Sequence, residues 1–189
     1  MRISVLVILL FSAISVHAEA IDACRHPDSG YEDVEELELC GSFSEDGVLA
    51  VSKRVLENVV WSESDLACIY VLHKKFKGWY YISKNGVGRP SPLSEDNDCD
   101  LIEEGLTRSI SNGTVVYVDR SLTVVKATKY KYASNFWNGY ALVCVGDLKK
   151  ERDKFGDHYD LKGGECGYIN REFKVVVPLK YTYENVPRP

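Results

Sequence analysis

The strongest constraint on this chain is a segment that recurs three times around a tyrosine. Gly78-Trp79-Tyr80-Tyr81-Ile82-Ser83-Lys84, Thr114-Val115-Val116-Tyr117-Val118-Asp119-Arg120 and Glu165-Cys166-Gly167-Tyr168-Ile169-Asn170-Arg171 align without a gap. Each reads aromatic, β-branched, small polar, basic. The spacings are 36 and 51 residues, and the excess in the second matches a charged insertion at 146–164. Self-similarity at such a period marks units that cannot each bury an apolar face alone, so neighbours must pack on one another.

The local chemistry of the units is that of short strands. Tyr, Val and Ile cluster in runs separated by Gly, Asn, Asp and Pro, which predicts strands at 48–55, 67–73, 79–83, 108–110, 115–118, 124–127, 140–145, 168–170 and 174–177. Asn85-Gly86 and Asn112-Gly113 lie between such runs. Both residue types tolerate positive φ, so each pair suits a tight hairpin turn. Asn112-Gly113-Thr114 is also a glycosylation sequon, but the turn reading dominates. The acidic stretch 31–39 is the one candidate helix, with Val34, Leu37 and Leu39 inward. Residues 90–98 and 146–164 read as loops, with a turn at Gly163-Gly164. The tail, 186–189, with Pro187 and Pro189, should be extended.

Two further patterns track the first. Lys129-Tyr130 and Lys180-Tyr181 each follow a repeat tyrosine by thirteen residues. An aromatic or aliphatic residue, a glycine and an apolar run recur from Phe43 to Val51, from Ile102 to Leu106 and from Phe136 to Val143. In these features the chain resembles the WG-repeat family, proteins built from tandem units of about thirty-five residues. The closest stretch runs from Phe136 to Tyr183. The family signature is a Trp-Gly-Tyr-Ile strand, a turn with Gly, a Val-Ile-Pro strand and an aromatic-Gly-Ala-Val strand. Here Trp survives only as Trp79 and Gly only as Gly167, with Cys166 at a Trp position. The turn Gly survives as Gly86, while Leu122 and Phe173 stand at the equivalent places. The resemblance implies an all-β fold of antiparallel short strands in about three degenerate three-stranded repeats. The strand at 43–51, with no unit before it, is expected to pair with the last unit and complete the sheet.

All six cysteines, Cys24, Cys40, Cys68, Cys99, Cys144 and Cys166, lie beyond a basic start (Arg2) and an apolar run at 3–16. That layout predicts a signal peptide at 1–18. The run is short for a membrane span, and no later segment is apolar enough to cross a bilayer. An even cysteine count in an exported chain implies up to three disulfides, for which fifteen connectivities exist. Sequential pairing is expected, with Cys144–Cys166 its best-supported member because the two flank the insertion. Acylation of Cys24 in a loose lipobox is the minor alternative. The mature chain divides into an acidic segment, 19–42, and a β domain, 43–189.

Charge is unevenly spread. Residues 19–104 carry nineteen acidic and eight basic side chains, and residues 105–189 nine and fourteen. A net charge of about −6 after signal removal argues against nucleic acid as a partner. An acidic face that includes Glu35, Glu36 and Glu38 would instead steer a basic protein. The insertion sets Phe155, His158 and Tyr159 among charges, a mix that interfaces favour.

The chain shows no constellation specific to catalysis. There is no Gly-x-Ser-x-Gly, His73 reads as a surface residue beside Lys74 and Lys75, and His158 as a solvated loop residue. Asp96, Asp98 and Asp100 have the odd spacing of a calcium loop, but Leu101 stands where its Gly is required and Thr107 where its Glu is. The sequence therefore predicts a periplasmic or secreted, non-catalytic binding module without metal or cofactor. It would hold a protein or envelope component, in one version as a periplasmic immunity-type protein that blocks a toxic effector. The rival readings are a structural envelope protein and a small exported hydrolase.

Overall fold

The computed structural model describes residues 19–20, 23–25, 36–37, 40–63, 65–73, 75–92, 99–152 and 159–189. The expected signal peptide lies outside them. So do Glu35, Glu38, Asp96, Asp98, Phe155, His158 and most of the expected helix at 31–39.

The chain is all-β with antiparallel pairing. Five short strands come first: β1 (Glu19–Ala20), β2 (Ala23–Arg25), β3 (Glu36–Leu37), β4 (Gly41–Phe43) and β5 (Leu49–Val51), then helix α1 (Lys53–Asn58). The backbone of Glu36 is thus in a strand and not in the expected helix. Three meanders follow. The first is β6 (Leu66–Leu72), β7 (Gly78–Ser83) and β8 (Val87–Pro90), and the second β9 (Thr107–Ser111), β10 (Thr114–Val118) and β11 (Val124–Ala127). After β12 (Tyr132–Ala133) come β13 (Tyr140–Arg152), β14 (Tyr159–Asn170) and β15 (Val175–Tyr181), closed by a 3-10 turn, Tyr183–Asn185. The strands form three sheets, ordered β1-β4-β5-β8-β7-β6-β2-β3, β11-β10-β9 and β12-β13-β14-β15.

One turn device defines the units. The carbonyls of Ser44, Ser83, Asp119 and Asn170 each accept the N–H three residues on, from Gly47, Gly86, Leu122 and Phe173. Those four residues have φ of 83°, 82°, 62° and 60°. A left-handed φ costs a non-glycine residue on the order of 1 kcal/mol. Leu122 and Phe173 offset it by packing. Leu122 is 1% exposed, and the Phe173 ring meets those of Tyr117 and Phe136 at 5.5 and 5.7 Å. Burying a leucine side chain is worth roughly 1.5–3 kcal/mol, more than the strain.

The same device at Ser44 corrects the reading of 43–51. This stretch is the turn and third strand of a fourth, N-terminal unit (β1, β4, β5). It completes a sheet, but that of β6 to β8: Leu49 and Ala50 pair with Gly88 and Val87, not with the last unit. The strand expected at 48–55 also stops early. Ser52 caps α1, accepting the N–H of Val55 on its hydroxyl at 3.4 Å. Val55 on the helix and Val59, its extended C-cap, are buried against the first sheet.

Because successive strand residues point to opposite faces, the second meander serves two cores. Val116 and Val118 pack with Leu66 and Tyr81 of the unit before. Val115 and Tyr117 pack with Phe136, Ala141, Val143 and Ile169 of the unit after. Three disulfides fasten the stack in sequential order: Cys24–Cys40, Cys68–Cys99 and Cys144–Cys166. The Cys24 sulfur is therefore a disulfide partner rather than a lipid anchor. Cys144 and Cys166 face each other across β13 and β14 with their Cα atoms 4.1 Å apart.

Non-reducing peptide mass mapping should return those three pairings. Replacing Cys144 and Cys166 together by serine opens a loop of 22 residues and should lower stability by about 3 kcal/mol in the chain-entropy account. A melting temperature that does not move would contradict this.

Candidate functional site

The residues with chemical potential fall into a buried hub, a groove and a projecting arm. Counted along the chain, the N-terminal unit is unit one, β6–β8 unit two, β9–β11 unit three and β12–β15 unit four, and the hub lies where units two, three and four meet. Arg108 lies on β9 between the buried Thr107 and Ser109, and its Nε meets Asp100 Oδ2 at 2.5 Å with both side chains nearly buried. Its Nη1 donates to the Ala133 carbonyl. Asn135 Nδ2 donates to the other Asp100 oxygen at 3.1 Å. The Tyr81 hydroxyl donates to the Asp100 carbonyl and lies 2.8 Å from Thr107 Oγ1. One unit on, Tyr117 donates to the Ser134 carbonyl at 2.8 Å. Each of these tyrosines thus reaches from its own unit to the chain entering the next.

The electrostatics of the hub are those of a clamp. Burial alone would pull the Arg108 guanidinium down, but the hydrogen bond and charge of Asp100 outweigh it and hold it above its ordinary value. Burial pushes the phenols of Tyr80, Tyr81, Tyr117 and Tyr132 well up. Held in these forms, the groups suit a structural joint that keeps the stack together. His73 is likewise built in. Contrary to the surface position expected, it is 6% exposed. Its Nδ1 accepts the N–H groups of Lys75 and Phe76, each at 3.2 Å, and its ring stacks on Phe76.

A groove of about 310 Å³ runs between the 75–80 segment and the β9–β10 turn. Phe76, Trp79, Pro90 and Ile110 give it an apolar floor, and Lys75 and Lys77 lie at its edge. The sequence names Trp79 only as a repeat residue. Its place beside Ile110 depends on how two sheets stack, which no local pattern reveals.

The insertion is the main surprise. In place of the loop expected at 146–164, β13 and β14 continue past the sheet as a two-stranded arm. Leu148 pairs with Gly163, Lys149 with Lys162, Lys150 with Leu161, Glu151 with Asp160 and Arg152 with Tyr159. Gly163-Gly164 is no turn; with Gly146 it forms a bulge, at φ of 76°, 70° and 78°, where the register shifts between Val145 and Leu148. Cross-strand partners share a face. One face therefore carries Leu148, Lys150, Leu161, Arg152 and Tyr159, with the Arg152 guanidinium 5.4 Å from the Tyr159 ring centre. The other carries Lys149, Lys162, Glu151 and Asp160, tied by Lys162–Glu151 at 2.8 Å. Of the six residues expected at a partner surface, Tyr159 is the one whose side chain is described, and it is 47% exposed.

Two outcomes test the clamp. Arg108→Ala leaves Asp100 buried without its cation and should cost roughly 3–5 kcal/mol in denaturant melts, because a charge stripped of its partner carries its full desolvation penalty. The buried phenols are protonated in the fold, so they contribute full stability below about pH 10, their unfolded value. Stability is lost as pH rises above that point. Alkaline titration should therefore show part of the tyrosinate absorbance appearing only together with loss of the β-sheet circular dichroism signal. Complete ionisation with the sheet signal intact would contradict the burial.

The family model described as WG containing repeat matches residues 117–148 and 167–183. No curated protein and no solved structure matches the chain. The first stretch runs from the unit-three tyrosine through its turn and β11 into the opening strand of unit four, and the second from Gly167 through β15. Within the C-terminal half of the chain, these two stretches match the WG containing repeat family.

Proposed function

We propose that this protein is an exported, non-catalytic binding module that holds a protein partner, with the β13–β14 arm as a principal contact. The arm carries the reading. An isolated two-stranded ribbon is marginal in water, and ordering each backbone residue costs roughly 1–2 kcal/mol. The arm fills no core, yet it presents Leu148, Leu161 and Tyr159 together on one face with two cations. That composition, aromatic and aliphatic with arginine, is the one that binding hot spots favour. Three disulfides support export, since such bonds persist in oxidising compartments. Among the described residues no cysteine is free and no helix is long and apolar enough to cross a membrane.

The finer form of this reading places the protein in the periplasm as an immunity-type inhibitor of a toxic effector, with Glu35, Glu36 and Glu38 steering the approach of a basic partner. Export and small size suit that role.

Tagged protein should retain a stoichiometric partner from bacterial envelope extract. Tyr159→Ala with Leu161→Ser should abolish retention while leaving the melting temperature within a degree or two, because surface changes away from the core shift stability little. Reversal of Glu35, Glu36 and Glu38 to lysine should slow association and weaken its salt dependence. Undiminished capture by the arm variant would refute the arm as the contact.

A further inference from the structure

The four units differ in how their third strand ends. In unit two the outer edge of β8 is covered: β5 lies antiparallel along it, with Leu49 opposite Gly88 and Ala50 opposite Val87. In unit three the equivalent strand, β11, is the edge of its sheet. All four of its residues are exposed, Val124 at 38% and Val125 at 50%. Counted from the shared turn, Val124 stands where Gly88 does. The apolar surface that Leu49 brings to β8 is therefore supplied at this edge by β11 itself.

The chain segment that holds β11 is basic, and the acid bonded nearest to it is Asp119, whose carboxylate accepts the Thr123 N–H at 3.0 Å before the strand begins. From Arg120 to Gly146 the chain has Arg120, Lys126, Lys129 and Lys131 and no Asp or Glu. Among the described residues Lys126 and Lys129 have no carboxylate partner. Lys126 lies over the Phe173 ring, 5.8 Å from its centre. Lys126, Thr128, Lys129, Tyr130 and Phe173 line a second groove of about 290 Å³ alongside the strand. The edge of unit four is less open, since β15 carries Pro178, which has no N–H to donate, and its pairing shifts register twice where that of β11 shifts once.

We propose that the β11 edge is a docking strip for an extended acidic segment of a protein partner, which adds to the sheet as an antiparallel strand. Main-chain hydrogen bonds to β11 would supply affinity in the manner of strand addition. Apolar side chains would meet Val124 and Val125, and carboxylates would meet Lys126 and Lys129. The internal precedent is β5 on β8, and the choice of an acidic segment follows from the lysines. The proposal rests on the interaction reading only in taking a protein as partner, because the strip and the arm are separate surfaces.

The test uses the whole chain and a fluorescent eight-residue peptide of alternating valine and glutamate, with its valine–lysine counterpart as control. Anisotropy should show the acidic peptide binding and the basic one not. Lys126→Glu with Lys129→Glu, both at exposed or half-exposed positions, should weaken binding by about tenfold or more, as loss of complementary charge does. Hydrogen exchange should show the amides of Val124 to Ala127 gaining protection with peptide, and Val125→Pro should remove that gain. Equal binding of both peptides, binding of neither, or protection confined elsewhere would overturn the proposal; in the second case the lysines act as guards against edge pairing. Protection of β11 that rises with protein concentration in the absence of peptide would also overturn it, assigning the edge to a second copy. Tyr159→Ala with Leu161→Ser should leave peptide binding unchanged. Partner capture that depends on the arm without peptide binding at β11 would leave the arm reading standing and remove this one.

Discussion

The architecture depends on one limitation: a three-stranded meander has two faces and too few residues to bury either alone. Neighbouring units resolve this by stacking, and the middle of the chain shows the result. Alternate residues of β10 enter different cores, Val115 and Tyr117 on one side, Val116 and Val118 on the other. Tyr81 and Tyr117 then fasten each layer to the backbone leading into the next. Further links repeat the theme: Arg89 donates to the Leu122 carbonyl, and Arg171 to that of Glu104. Once faces are committed to neighbours, the surfaces left uncommitted are edges, turns and insertions. The arm and the β11 edge are both of that kind.

Much of this was legible in the sequence because it depends on local chemistry. The tyrosine-centred strands, the hairpins at Asn85-Gly86 and Asn112-Gly113 and the sequential disulfides each follow from residues close in the chain. The N-terminal unit was harder to see. It has Ser42 where the other units have tyrosine, and what identifies it is the Ser44 turn with Gly47 at positive φ. Its pairing with β8 rather than with the last unit is a long-range choice between similar edges. Gly88 favours it, since even a Cβ there would approach the Leu49 side chain to 2.8 Å. The arm was missed for another reason. A run of mixed charge reads as a solvated loop, and a ribbon exposed on both faces has little of the hydrophobic alternation by which strands are recognised.

The hub shows where the sequence carries a signal that strand patterns hide. A buried charge is costly unless paired, so a basic residue of a strand, as Arg108 is of β9, needs an acceptor wherever the fold buries it. Which one could not be read. In the sequence Asp100 belongs to a run of aspartates that reads as a solvated or calcium-binding loop, and its burial follows from the Cys68–Cys99 disulfide next to it, which holds Cys99 and Asp100 against the β6–β7 sheet. The stack thus makes Asp100 a structural joint, held further by the Ser91 hydroxyl accepting the Asp100 N–H at 2.9 Å.

The cysteine at the position where the family has tryptophan acquires a reason from the arm. A tryptophan there would add apolar area within a unit but would do nothing for strands that leave the core. Cys144 and Cys166 join one register step before Val145 and Glu165, the last pair ahead of the bulge from which the arm projects. A covalent link at that root fixes the register of both strands as they emerge. It also removes much of the entropy that an unclamped ribbon would lose on ordering. The neighbouring Gly167 is constrained in turn, because a side chain on it would collide with the Val177 carbonyl where β15 closes on β14. Unit four therefore combines the disulfide, the close-packed glycine and the arm in one continuous stretch of β14. One bond therefore fixes both the scaffold of unit four and the root of the arm.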